Sequence, residues 1–131
     1  MLLPCQPRLK KSVAKDHISG KQPDLSYIEQ STQKISPFIK PGNLIILEST
    51  SPVGTTDEVV SKILKENGHK VGEDVFVAHC PERVLPGRIL IELVENDRVV
   101  GGINEESTKV AVEFYEEFVS GDVLATTAKT A

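Results

Sequence analysis

Leu44 to Leu47 form an unbroken apolar run between the turn pair Pro41-Gly42 and the polar stretch that starts at Glu48. So short a run, without polar alternation, predicts a strand covered on both faces, as in a parallel sheet. Val75 to Ala78, Arg98 to Gly101 and Val123 to Thr126 predict further strands. Between them the apolar period lengthens. Leu25, Ile28, Ile35, Phe38 and Ile39 recur at helical spacing from Ser26 on, with Pro37 expected to break the helix. Val59, Val60, Ile63 and Leu64 mark a helix from about Thr55 to Asn67. Val110, Ala111, Phe114, Tyr115, Phe118 and Val119 mark another, from Asn104 to Phe118. Ile89 to Val94 suits a short helix or a strand, and periodicity does not decide between them. The alternation predicts an α/β fold with a mostly parallel sheet and flanking helices.

Local signals place the helix ends. Ser26 with Glu29, and Thr55 with Glu58, have the spacing of capping boxes. Asn104 is the expected cap of the last helix, with Glu105 and Glu106 beside its positive end. Asn67-Gly68 predicts a left-handed stop. Residues 4–23 carry three prolines, several lysines and no hydrophobic period, and are expected to form a loop. A sheet of three or four short strands has two exposed edges, so the reading divides the chain into an irregular segment, 1–22, and part of a larger domain, 23–131.

Composition narrows the function classes. With 39% hydrophobic and 26% charged residues the chain is too apolar for a disordered tail. A net charge of -4 argues against a nucleic-acid partner, and no apolar run approaches the roughly 20 residues of a membrane span. The start, MLLPCQPRLKK, lacks a signal-peptide core, and Cys5 and Cys80 lie far apart, so a cytoplasmic chain with reduced thiols is expected. His17, His69 and His79 are scattered, and no metal site is expected.

Two stretches could carry chemistry. In ESTSPVGTT, Ser49, Thr50 and Ser51 cluster at the carboxyl end of a strand, where open α/β sheets bind ligands. No two of the nine glycines make a G-x-G pair, and Asp57 and Glu58 would repel a pyrophosphate from the helix that follows. A ligand contact here must come from the turn, not the helix start. In HCPERVLPG, Glu82 and Arg83 follow a strand end and are bracketed by Pro81, Pro86 and Gly87. Two strand-end loops of one sheet open on the same edge. His79 and Cys80 are strand neighbours that point to opposite faces, so Cys80 is expected to be a buried thiol.

Together, QPDLSYIEQS, GNLIILESTSPVGTT, AHCPERVLPGRILIELVENDRVVGG and TTAKTA resemble the UDP-glucose/GDP-mannose dehydrogenase family. PERVLPG followed by ENDRVVGG favours its mannosamine branch. The resemblance implies the second half of a Rossmann-like NAD-binding domain, truncated at both ends. It implies a parent enzyme, expected to be a homo-oligomer, that uses NAD to oxidise UDP-N-acetyl-D-mannosamine to UDP-N-acetyl-D-mannosaminuronate through an enzyme thioester. A UDP-N-acetylglucosamine 6-dehydrogenase fragment or a non-catalytic binding remnant are the alternatives. Carried over by motif, Thr50 would lie against NAD. Arg83 and Val84 would contact the UDP-sugar, and Glu82 would support proton transfer or position water. The family's nucleophilic cysteine falls in a motif absent here, and its glycine-rich loop is also absent, so the chain alone is expected to be inactive. In the UDP-glucose branch a second carboxylate falls four residues after the first, and here that position is Pro86, so no paired-carboxylate mechanism carries over.

Overall fold

The computed structural model describes residues 2–3, 8–10, 22–82 and 86–131. Strands β1 (Leu2–Leu3), β2 (Arg8–Lys10) and β3 (Gln22–Asp24) precede helix α1 (Ser26–Ile35). Then come β4 (Leu44–Leu47) and a second helix that opens as a π turn over Thr56–Ser61 and continues as α2 (Lys62–Glu66). The remaining elements are β5 (Phe76–His79), α3 (Ile89–Glu95), β6 (Arg98–Gly102), α4 (Glu105–Glu116) and β7 (Val123–Thr127).

β1, β4, β5, β6 and β7 form one sheet in that order. Every neighbouring pair is parallel except β5 and β6, where Ala78 faces Gly102 and His79 faces Gly101. The sheet is therefore mostly parallel with flanking helices, as the hydrophobic pattern predicts, and the architecture is the Rossmann-like α/β that the resemblance implies. The antiparallel step has a consequence for the site. β6 starts, at Arg98, beside the loop that leaves the end of β5. Inside the stretch expected to be a loop, β2 and β3 pair antiparallel, with Leu9 opposite Pro23.

Strand alternation divides the core in two. Ile45, Leu47, Val75 and Val77 pack with Ile28, Val60 and Leu64 from the helices on one face. Ile46, Ala78 and Val100 pack with Ala111, Tyr115 and Val119 on the other. Helix α1 stops at Ile35, and Pro37 sits in the 3-10 turn Ser36–Phe38 that follows. The Ile89 segment, open between helix and strand, is helical, with Leu90 82% exposed and Glu92 buried.

Two capping expectations fail. Asp24, not Ser26, serves the start of α1: its Oδ1 accepts from the Ser26 amide (3.0 Å) and from Ser26 Oγ (2.6 Å). Thr55 already has helical angles, φ -56 and ψ -40, and its hydroxyl donates back to Pro52 O at 2.7 Å, so it cannot reach forward to an amide. The expected cap at Asn104 is present, its Oδ1 accepting from Ser107 N at 2.9 Å. The stop at Asn67-Gly68 is also present, with Gly68 at φ +86.

Candidate functional site

The parallel pairing of β4 and β5 brings the ESTSPVGTT and HCPERVLPG turns to one edge of the sheet. The pairing continues past the strands, for Cys80 N donates to Leu47 O at 3.1 Å and Glu82 N donates to Glu48 O at 2.9 Å. The two predicted stretches thus form one wall. Thr50 is exposed on it, while Ser49 is buried and Ser51 half-buried. Gly54, at φ +89, occupies the left-handed position of the turn closed by Thr55 N to Pro52 O at 3.1 Å. The Glu58 carboxylate folds back over Gly54, and a Cβ there would lie 3.0 Å from its Oε1. Acidic groups therefore occupy the positive end of the second helix.

Glu82 is half-buried, its carboxylate 3.5 Å from Arg98 Nη1. Arg83 and Val84 lie outside the described residues. His79 and Cys80 separate to opposite faces as the alternation requires. Nδ1 of His79 donates to Leu47 O at 2.8 Å, which leaves Nε2 as the unprotonated nitrogen of the neutral ring. Burial holds the imidazole pKa below its ordinary value, with the Leu47 bond partly opposing. Cys80 is a buried free thiol. Burial pushes its pKa up, against smaller opposing contributions from Tyr115 and Arg98, so it is unsuited to act as a nucleophile.

Three residues at this edge escaped the sequence reading. Glu48 leaves β4, and its Oε1 accepts from Tyr115 Oη on α4 at 2.7 Å. Burial, with Cys80 and Glu48 adding to it, pushes the Tyr115 phenol well above its ordinary range, so it remains a hydrogen-bond donor. Arg98 is 4% exposed and donates from Nη2 to Leu93 O at 3.1 Å. Its guanidinium carbon lies 5.6 Å from the centre of the Tyr115 ring, within cation–π range. One signal could have found Glu48 and Arg98. Ile46 and Glu48, Ala78 and Cys80, and Arg98 and Val100 are i, i+2 pairs, so each polar residue shares the face of an apolar neighbour in the same core.

Other features lie elsewhere. A cleft of about 650 Å³ between α4 and β7, lined in part by Asn104, Thr108, Val112 and Ala125, opens at the opposite edge. It lies beside β7, which among the described residues has a neighbouring strand on one side alone. Among the described residues no helix is long and apolar enough to cross a membrane, and no group of three His, Cys, Asp or Glu is placed to hold a metal ion.

The NAD binding domain of the UDP-glucose/GDP-mannose dehydrogenase family matches residues 12–119. A UDP-N-acetyl-D-mannosamine dehydrogenase of Methanocaldococcus jannaschii is 52% identical over 111 residues, covering 85% of this chain and 25% of the relative. An NDP-N-acetyl-D-galactosaminuronic acid dehydrogenase of Ralstonia solanacearum is 47% identical, covering 87% of this chain and 29% of the relative. Among solved structures, a UDP-N-acetyl-mannosamine dehydrogenase from S. aureus superposes with a TM-score of 0.87 at 35% identity, over 99% of this chain and 30% of that one. The chain thus spans between a quarter and a third of the length of these relatives. The matched domain and the superposed fold place the chain in the UDP-glucose/GDP-mannose dehydrogenase family.

Proposed function

We propose that the chain forms part of the NAD domain of a UDP-sugar 6-dehydrogenase, with residues 23–131 as its second half. The reaction is the oxidation of UDP-N-acetyl-D-mannosamine to UDP-N-acetyl-D-mannosaminuronate. The observation that carries this reading is the 52% identity to a relative named for mannosamine oxidation. The wall made by Thr50 and Glu82 supports it. Overall, the C6 alcohol and one water become a carboxylate while two hydrides leave in succession and three protons are released. NAD supplies the hydride acceptor when bound.

The residues fit a phosphate-free part of that cofactor. Thr50 offers an exposed hydroxyl at the carboxyl end of β4 and can hydrogen-bond the nicotinamide or its ribose without placing a charge there. The pyrophosphate does not fit at the second helix, where Asp57 and Glu58 fill the first turn. Glu82 is assigned to accept a proton or orient a water, and its partial exposure and its ion pair with Arg98 support that role. Arg83 and Val84, which follow it directly, are assigned to the UDP-sugar. The thiol that forms the thioester is not Cys80, which is buried and protonated. The charged nucleotide sugar and NAD favour a cytoplasmic setting. The exposed Ile89, Leu90 and Ile91 of α3 favour a homo-oligomeric parent.

A chimera tests the assignment. Residues 23–131 replace the homologous segment of the Methanocaldococcus jannaschii relative, and NADH is followed with UDP-N-acetylmannosamine and, separately, with UDP-N-acetylglucosamine. Two NADH per UDP-N-acetylmannosamine is the expected result. A folded chimera that is inactive, or that prefers UDP-N-acetylglucosamine, contradicts the assignment. The chain by itself is expected to produce no NADH with either sugar.

A further inference from the structure

The two turns that form the wall are joined through a third element. Glu48 accepts from Tyr115 at 2.7 Å, and Arg98 lies over the Tyr115 ring at 5.6 Å and pairs with Glu82 at 3.5 Å. Cys80, at the end of β5, packs in the same core as Tyr115. The chain of contacts therefore runs from one turn, through α4 and β6, to the other. It closes on the backbone bond from Glu82 N to Glu48 O at 2.9 Å.

Its central member is a buried cation. Arg98 is 4% exposed, and among the described residues its Nε has no hydrogen-bond partner. Burying a guanidinium with incomplete hydrogen bonding costs stability, and an apolar residue in its place is often as stable or more so. Packing alone therefore does not account for an arginine here. A planar fork that can reach a backbone carbonyl, a carboxylate and an aromatic face together does account for it.

We propose that Arg98 is a positioning residue that, with Tyr115, clamps the Thr50 turn to the Glu82 turn and fixes the direction of the Glu82 carboxylate. The importance of the clamp rests on the reading of that wall as the cofactor and substrate site, although its existence does not. Arg98 touches no reacting atom. It acts through Glu82 directly and through Tyr115 on Glu48. Releasing it frees the two turns to separate while the strands behind them stay paired.

Hydrogen exchange of single amides in the isolated chain tests this. The Glu82 amide reports the clamp, because its acceptor is the opposite turn. Phe76 N, which donates to Asn43 O, and Ile103 N, which donates to Val77 O, report the sheet behind it. In Arg98→Met the Glu82 amide is expected to lose tenfold or more of its protection, while Phe76 and Ile103 stay within twofold. Arg98→Lys should recover part of the loss, since the charge returns without the fork. Tyr115→Phe keeps the ring but loses the hydroxyl, and should lower Glu82 protection too.

Unchanged Glu82 protection in Arg98→Met overturns the proposal, and so does an equal loss at all three amides. If Arg98→Met does not fold, the milder pair decides, and unchanged protection in both Arg98→Lys and Tyr115→Phe overturns it. Adding NAD to the unaltered chain and following the Thr50 amide tests the cofactor reading separately, so either idea can fail without the other.

Discussion

The two faces of the sheet are built from the same strands and do different work. On the α1 and α2 face, Ile45, Leu47 and Val77 meet Ile28, Val60 and Leu64 in an apolar contact. On the α4 face the row begins the same way, with Ile46, Ala78 and Val100, but one step further along it becomes Glu48, Cys80 and Arg98. Because side chains alternate, adjacent residues of a single strand go to different tasks. The site is the polar end of the second core, which is why Tyr115 can belong to both.

The comparison breaks most visibly by deletion on the apolar face. Leu47→Ala removes a fully buried side chain and should cost about 2–5 kcal/mol, measured by urea unfolding. Gly102→Ala probes the other face, where an added Cβ would run into the backbone at Ser107 and Thr108. It should cost about 1–3 kcal/mol, because backbone cannot step aside as a flexible side chain can. Tyr115→Phe should cost a similar amount, about 1.5–3 kcal/mol for a hydrogen bond to a carboxylate, without disturbing the apolar face.

Smaller effects sharpen the contrast. The pKa of His79 is lowered in the folded chain by burial, so the unfolded chain binds the proton more readily. Its contribution to stability is full above the ordinary value of 6.5 and is lost as pH falls from there towards the lowered folded value. His79→Asn should flatten that part of the pH profile of the urea midpoint, and an unchanged slope would contradict the burial argument. Thr50→Val is the mildest change. Thr50 is exposed, so the melting temperature should hold, while NAD affinity should fall about fivefold for the loss of one hydrogen bond of roughly 1 kcal/mol.

These cases also show which features the chain announces. The strands were legible because Leu44–Leu47 and its counterparts are apolar without interruption, and a doubly covered strand needs no more than that. The common edge of the two turns followed from parallel pairing. Caps were less legible, because several residues near a helix start compete for the same amide. Ser26 has Asp24 two positions before it, and Thr55 has Pro52 O within reach. The Arg98, Tyr115 and Glu48 network was the least legible. Tyr115 and Glu48 are 67 positions apart, and only the antiparallel placement of β6 brings Arg98 to Glu82. Local pattern encodes neither fact.

The central claim is that the Thr50 and Glu82 edge receives the nicotinamide riboside end of NAD, while the acidic start of the second helix turns phosphate away. Titrating the isolated chain with NAD and following backbone amides by NMR tests it most directly. The account predicts shifts at Ser49, Thr50, Ser51 and Glu82, with Asp57 and Glu58 unmoved. Shifts centred on Asp57 and Glu58, or on Asn104 and Thr108 at the opposite edge, would contradict it, as would no shift at any NAD concentration reached.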